Sequence, residues 1–337
     1  MKLDSVRDLK STLVEKVLSG NLLSAVAGSA RAASVSAFNL TSAGRNQASF
    51  AFGITRKNKT DYKLAVRLQQ RPLETSGMLE QIKSQARGEA DIRYIGRVRP
   101  TAKAPTIPWH RKRQRPLLIG CSLGHTAVTA GTLGCFVRGT GGKLWILSNN
   151  HVLANENDAR QGDPIIQPGD FDGGSPSTDS IAKLAKFIRF RHGKDNLVDA
   201  ACAALNDGLE IDLSTLKGLG KLKGLASDEI DIGSIVHKVG RTTGVTRGKV
   251  TAIEIDNLVV DYNSGRISFD NQIEIETTGT GAFSRGGDSG SIILNDDLEA
   301  VALLFAGSDH GGSSGFGRTF ANPVNRVLKD LKVKIAL

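Results

Sequence analysis

The sequence predicts a mainly β fold, and three observations carry that expectation. Glycine is abundant, at 38 of 337 residues, which suits many tight turns. From Pro116 onward, short apolar runs follow one another with Gly-, Asp- and Asn-containing turns between them. The apolar share is 39%, enough for a packed core and too high for a disordered chain.

Taken in order, the chain first reads as a small α+β unit over residues 1–98. Leu9, Leu13, Val14 and Val17 recur at helical spacing, so residues 4–18 predict an amphipathic helix with Asp4 or Ser5 at its start. Residues 19–46 are small and polar. Residues 17–35 are rich in Ala, Ser and Gly, but Asn21, Ser24, Gly28 and Arg31 interrupt them, so no secretory signal is read there. Residues 48–55 and 63–69 predict two strands joined by a polar loop. Residues 76–87 have helical spacing, and 92–98 predict a further strand. Residues 99–116 read as a linker with prolines at 100, 105, 108 and 116 and a basic run from His110 to Arg115.

Beyond the linker, residues 132–138 and 144–148 predict a hairpin turning at the Gly-Thr-Gly-Gly of 139–142. Strands at 181–190 and 197–205 follow, then a connection over 206–229. A second series covers 235–239, 245–255, 258–262, 272–276, 291–294 and 300–305, and residues 322–331 predict a closing helix.

Three short stretches carry chemistry. Ser289 lies in Ser284-Arg285-Gly286-Gly287-Asp288-Ser289-Gly290-Ser291. A serine hydroxyl needs a base to take its proton and donors to hold an oxyanion. The glycines permit a turn that aims the N–H groups of Gly287 and Ser289 at one point. His151, in Ser148-Asn149-Asn150-His151-Val152-Leu153-Ala154, falls where an apolar strand becomes a turn and is the candidate base. Asp199 sits among small apolar residues in Asn196-Leu197-Val198-Asp199-Ala200, where a carboxylate needs a partner such as an imidazole N–H; Asp195 is the weaker candidate. The order is His, Asp, Ser, with gaps of 48 and 90 residues.

With Gly131-Thr132-Leu133-Gly134-Cys135, Gly240-Arg241-Thr242-Thr243-Gly244 and Leu303-Leu304-Phe305-Ala306-Gly307 in the same order, roughly residues 117 to 337 resemble the trypsin-like (chymotrypsin-type) serine endopeptidases, in particular a bacterial branch of them. The resemblance implies two six-stranded antiparallel β-barrels over 117–337, with His151 and Asp199 on the first, Ser289 on the second and a C-terminal helix. It also implies a small α+β domain in front. Phe283, Ser284, Phe305, Gly307 and Arg318 would line the specificity pocket. Trypsin itself has an Asp six residues before the nucleophile; here that position is Phe283, so attraction for Lys or Arg is absent. Arg318 pointing inward would favour an acidic side chain. Pointing outward, it would leave Phe283 to form a shallow apolar pocket for small or medium residues.

Charge divides the chain. Residues 1–120 hold 22 Lys+Arg against 8 Asp+Glu, a surplus of +14, while the rest carries −4. The expected partners are a protein or peptide substrate and, for the basic half, an acidic protein or nucleic acid. An aromatic share of 5% argues against base stacking as the main activity. Cys121, Cys135 and Cys202 are spaced for neither a disulfide framework nor a metal, so a reducing, cytoplasmic setting is expected. No metal or cofactor motif is present, and no run of residues reaches the length of a membrane span. Legacy of the same fold without activity, with the basic half binding a partner, is the competing expectation.

Overall fold

The computed structural model describes residues 1–18, 50–96, 98–99 and 108–337. The expectations for residues 19–46 and for the proline-rich stretch 100–107 lie outside them.

Helix α1 (Leu3–Leu18) buries Val6, Lys10, Leu13 and Val17 on one face. Lys10 reaches the barrier of this face by its stem and ends on the Glu254 carbonyl at 2.8 Å and on Asp256 at 2.9 Å. Strands β1 (Phe50–Asn58) and β2 (Asp61–Leu68) form a hairpin, and β3 (Ala90–Tyr94) lies parallel to β2 after helix α2 (Gly77–Gln85). Ser76 caps α2, its Oγ accepting from Leu79 N–H at 3.2 Å. Phe50, Phe52, Leu64 and Val66 pack under both helices. Strand β4 (Val98–Arg99) leaves this unit.

The first barrel is a ring of six. Strand β5 (Ser122–His125) pairs with β6 (Gly131–Thr132), which continues after a break as β7 (Cys135–Arg138). Strands β8 (Leu144–Ser148), β9 (Pro164–Ile166), β10 (Ser180–Phe187) and β11 (Ala201–Leu205) complete it in the order β7-β8-β11-β10-β9, and β9 returns to β5. Helix α3 (Asn150–Leu153) follows β8. The 206–229 connection holds three two-residue strands, β12 (Thr215–Leu216), β13 (Gly220–Lys221) and β14 (Gly224–Leu225).

The second barrel uses β15 (Ile235–Gly240), β16 (Gly244–Asp256), β19 (Gln272–Thr277), β20 (Ile292–Leu294), β21 (Glu299–Ser308) and β22 (Thr319–Pro323). Their order is β15-β20-β21-β22-β19-β16, and β15 pairs with β16. Between β16 and β19 stands a separate hairpin of β17 (Leu258–Tyr262) and β18 (Gly265–Phe269). The expected strand at 258–262 therefore exists but lies outside the barrel. The sixth barrel strand is β22, whose Thr-Phe-Ala-Asn-Pro run has no clear alternation. Helix α4 (Val324–Leu331) buries Val324, Val327, Leu328 and Leu331 against the first barrel's core, about 1.5–3 kcal/mol for each large side chain. Strand β23 (Lys334–Ile335) then pairs with β7, so the chain's last residues tie the second barrel to the first.

The described residues of 1–98 are joined to the second barrel by strand pairing. Strand β16 is too long for its barrel; it bends at bulges after Val250 and Ala252, and its far end pairs with β1 at Ile253 and Asp256. The β1-β2-β3 sheet thus prolongs the second barrel's sheet, and β4 adds to β21 at Gly307 and Ser308. The linker is anchored too. His110 and Arg111 are buried, and His110 Nδ1 lies 2.5 Å from the Arg241 carbonyl. Burial pushes both the His110 and the Arg111 pKa down.

Candidate active site

His151 is presented by β8 through the first turn of α3. Two buried asparagines hold that turn. Asn149 Nδ2 donates to the Asp199 carbonyl at 2.7 Å, and Asn150 Nδ2 donates to the Ile188 carbonyl at 2.7 Å and to Asn157 at 2.9 Å. Asp199 precedes β11 and has no exposed surface. Its own N–H donates to Asn322 Oδ1 at 3.0 Å. The two meet: His151 Nδ1 lies 2.5 Å from Asp199 Oδ2, and the His151 N–H donates to Oδ1 at 3.3 Å. Asp195 is exposed.

Asp199 has a further partner that the sequence did not reveal. Tyr262 donates its hydroxyl to Oδ2 at 2.8 Å. Burial pushes this phenol's pKa well up, with the Asp199 charge adding to the shift, so it remains a neutral donor. A cleft of about 680 Å³ opens beside these groups, with Thr129, His151, Glu156, Tyr262 and Arg266 on its walls.

Ser289 enters from the second barrel, 5% exposed. Its carbonyl accepts from Thr132 N–H at 2.8 Å, which stitches the serine loop to the first barrel. A Cβ on Gly131 would strike Val152, the residue after His151, and come within 3.0 Å of the Ser289 carbonyl. The histidine turn and the serine loop are therefore separated by a gap that only glycine allows. Ser289 Oγ donates to the Phe305 carbonyl at 3.4 Å, a weak contact.

Gly287 has φ +88°, and a Cβ there would collide with the Arg241 guanidinium and Thr242 Oγ1. Neither the Gly287 nor the Ser289 N–H enters a backbone hydrogen bond among the described residues. The loop's shape is set by Asp288. Its Oδ1 accepts from the N–H groups of Thr242 (2.8 Å) and Thr243 (3.1 Å), and its Oδ2 from Arg285 N–H and Thr243 Oγ1, both 2.8 Å. The fully buried Lys238 stands 3.8 Å away; burial lowers its pKa, against the pull of Asp288. Local donors thus hold Asp288. Arg241, bidentate to Asp172 at 2.6 and 2.7 Å, braces the other side of Gly287.

The pocket residues come together only in part. Ser284 Oγ lies 2.6 Å from Thr319 Oγ1, and a Cβ on Gly307 would approach Ser284 Oγ at 3.6 Å. Phe305 turns its ring away, 4.9 Å from the ring of Phe269. Phe283 packs in the second barrel's core with Val236, Val250 and Ile275, so it forms no apolar pocket wall. Arg318 points outward: Nη1 meets Glu274 at 2.6 Å and Nη2 meets Glu276 at 3.2 Å. Alternation along β22 explains this, since Thr319 faces Ser284 and its neighbour must face the other way.

No family profile matches this sequence, and no curated protein matches it. Among solved structures it is similar to Thermobifida fusca protease A, with 18% identity and a TM-score of 0.45 over 65% of this chain and 97% of that one. It is likewise similar to Cellulomonas bogoriensis chymotrypsin, at 19% identity and TM-score 0.45 over 65% and 97%. A third is a glutamic-acid-specific serine protease, at 20% identity and TM-score 0.48 over 65% and 100%. The ring topology of the two barrels defines the class, the chymotrypsin-like double-barrel fold. Within that class, the solved structures named here are bacterial serine proteases.

Proposed function

We propose that this chain is a serine endopeptidase. The observation that carries the reading is the buried Asp199 carboxylate 2.5 Å from His151 Nδ1, which leaves Nε2 as the basic nitrogen. Ser289 Oγ attacks the peptide carbonyl while His151 Nε2 takes its proton. The Gly287 and Ser289 N–H groups receive the oxyanion, about 3 kcal/mol of stabilisation for each donor. The imidazolium protonates the leaving amine, and water then releases the acyl group by the same route in reverse. Labelling with a fluorophosphonate probe tests the reading, because only an activated serine reacts. Label on the wild type and none on Ser289→Ala is the expected result, and an unlabelled wild type would overturn it.

The weak Ser289–Phe305 contact favours a second reading, in which the fold is latent and the basic half binds a partner. A serine that reacts only after that partner is added would support it. The Ser284–Thr319 hydroxyl pair and the open Gly307 fit a small or uncharged polar residue before the scissile bond, since Arg318 is already matched by carboxylates. A cleft of about 720 Å³ bearing Arg56, Lys57, Lys59, Arg93 and Lys249 fits the acidic partner expected of the basic half. Three buried free thiols, two with pKa pushed up to about 12, fit a reducing, cytoplasmic setting.

A further inference from the structure

We infer that Tyr262 is a positioning residue for the acid of the triad: its phenol, carried by the β17–β18 hairpin, fixes Asp199 in the orientation that His151 requires. The inference rests on the serine-peptidase reading. Asp199 Oδ2 receives both His151 Nδ1 and the Tyr262 hydroxyl, while Oδ1 receives the His151 N–H. Rotation of the carboxyl group would break all three contacts together.

The phenol is delivered by a built support. Its ring packs 4.8 Å from that of Phe190 and 5.6 Å from that of His151. An isolated two-stranded hairpin is marginal in water. This one is held from three sides. Gln69, just past β2, donates to the Val259 carbonyl at 2.6 Å. Asn196, three residues before Asp199, donates to the Ser268 carbonyl at 3.2 Å. Glu156, just past α3, accepts from Ser264 N–H at 2.7 Å. The N-terminal unit, the acid's own loop and the histidine's helix therefore all fix where the phenol stands.

The chemical consequence has a sign. A neutral donor on Oδ2 disperses the carboxylate charge. Without it the carboxylate attracts the proton on His151 Nδ1 more strongly, which favours the imidazolium formed during turnover. The groups facing Asp199 are His151 from α3, Tyr262 from β17, and the uncharged Asn149 and Asn322; the charges lining the adjoining cleft are Glu156 and the Asp261–Arg266 pair of the hairpin.

Tyr262→Phe in the full chain removes the oxygen and keeps the ring contacts. Expected are a kcat about tenfold lower, a KM within about twofold, and an acid limb of kcat/KM displaced to higher pH by roughly half to one unit. Replacing the three tyrosines with 3-fluorotyrosine strengthens the donor at constant shape and should move the limb the opposite way. Unchanged kcat and pH profile in both, with only a lower Tm for the phenylalanine variant, would reduce Tyr262 to a core residue and overturn the inference. The NMR resonance of the proton between His151 and Asp199 reads the same contact without turnover. If it shifts in Tyr262→Phe while the wild type is inert to fluorophosphonate, the peptidase reading has failed and the positioning role stands.

Discussion

The two barrels hold their parts of the site by different forces. Around His151 and Asp199 the supports are neutral: asparagine amides, backbone groups and a phenol, set on an apolar core of Ile146, Leu147, Val152, Leu153 and Ala201. Around Ser289 the supports are ionic. Asp288, within the Gly286–Gly290 loop, has Lys238 beneath it and Arg241–Asp172 beside it, and Arg67, Glu274 and Arg318 form a buried chain on the barrel's outer side. The contrast assigns roles. The first barrel holds one imidazole against one buried carboxylate, for which neutral supports suffice. The second barrel must hold a strained Gly287 turn and a docked sheet, and charge pairs do this strongly but only within a range of pH.

The largest effect expected breaks the chemistry and neither scaffold. Ser289→Ala should lower kcat by roughly 10⁵–10⁶-fold, with circular dichroism and Tm unchanged, because the side chain makes a single weak contact. Persisting cleavage at the wild-type rate would locate the nucleophile elsewhere.

Lys238→Met tests the ionic side directly. It leaves the fully buried Asp288 without its cation, at a cost of about 3–5 kcal/mol, and should loosen the oxyanion loop. Adding Asp288→Asn should recover much of the stability and little of the activity. Because burial lowers the Lys238 pKa, the wild type should lose activity on the alkaline side before ordinary lysines titrate. Stability moves the other way. The unfolded chain binds the proton more tightly, so folding gains as pH rises from the lowered folded value toward 10.5. An alkaline limb that survives in Lys238→Met would sever lysine from loop.

Glu274 should give the next effect. Two guanidinium groups, at 2.7 Å and 2.6 Å, hold its pKa at about 2 despite burial. A depressed carboxylate contributes stability above its unfolded value of 4.5 and loses it as pH falls from there toward 2. The contribution is roughly 3 kcal/mol. Urea midpoints should therefore fall over that interval in the wild type and much less in Glu274→Gln, which is weaker already at pH 7. Equal slopes would show that the seam between β2 and the barrel is not what acid opens.

How much of this was legible follows the same division. His151, Asp199 and the Gly286–Ser289 loop could be singled out because each sits in a local stretch whose residue types carry their own chemical signal. Tyr262 could not: it reaches Asp199 across 63 residues, from a hairpin with no motif. Lys238 and Arg241 were visible only as residues of a strand and its turn. The direction of Arg318 stayed open because a one-residue uncertainty in register exchanges the two faces of a strand, and the packing of Phe283 against Val236, Val250 and Ile275 depends on contacts distant in sequence. The pairing of β1 with the far end of β16 had a signal, since 245–255 was already too long a run for a small barrel strand. The Asn149-Asn150 pair before His151 was a second unused signal, because two amides at the end of an apolar strand need partners.

The smallest effect expected lies one residue from one of the largest. His237 precedes Lys238 on β15, and the period of two sends their side chains to opposite faces. His237 Nε2 meets Asp296 at 2.8 Å, but Asp296 is 68% exposed, so water competes for both partners and salt screens them. Asp296→Asn should change stability by no more than about 0.5 kcal/mol and leave kcat unaltered, measured in the buffer used for Lys238→Met. If it instead destabilised the protein as much as Lys238→Met, burial would not be what separates the two pairs. The ionic character of the second barrel would then be a property of its surface as well as of its interior.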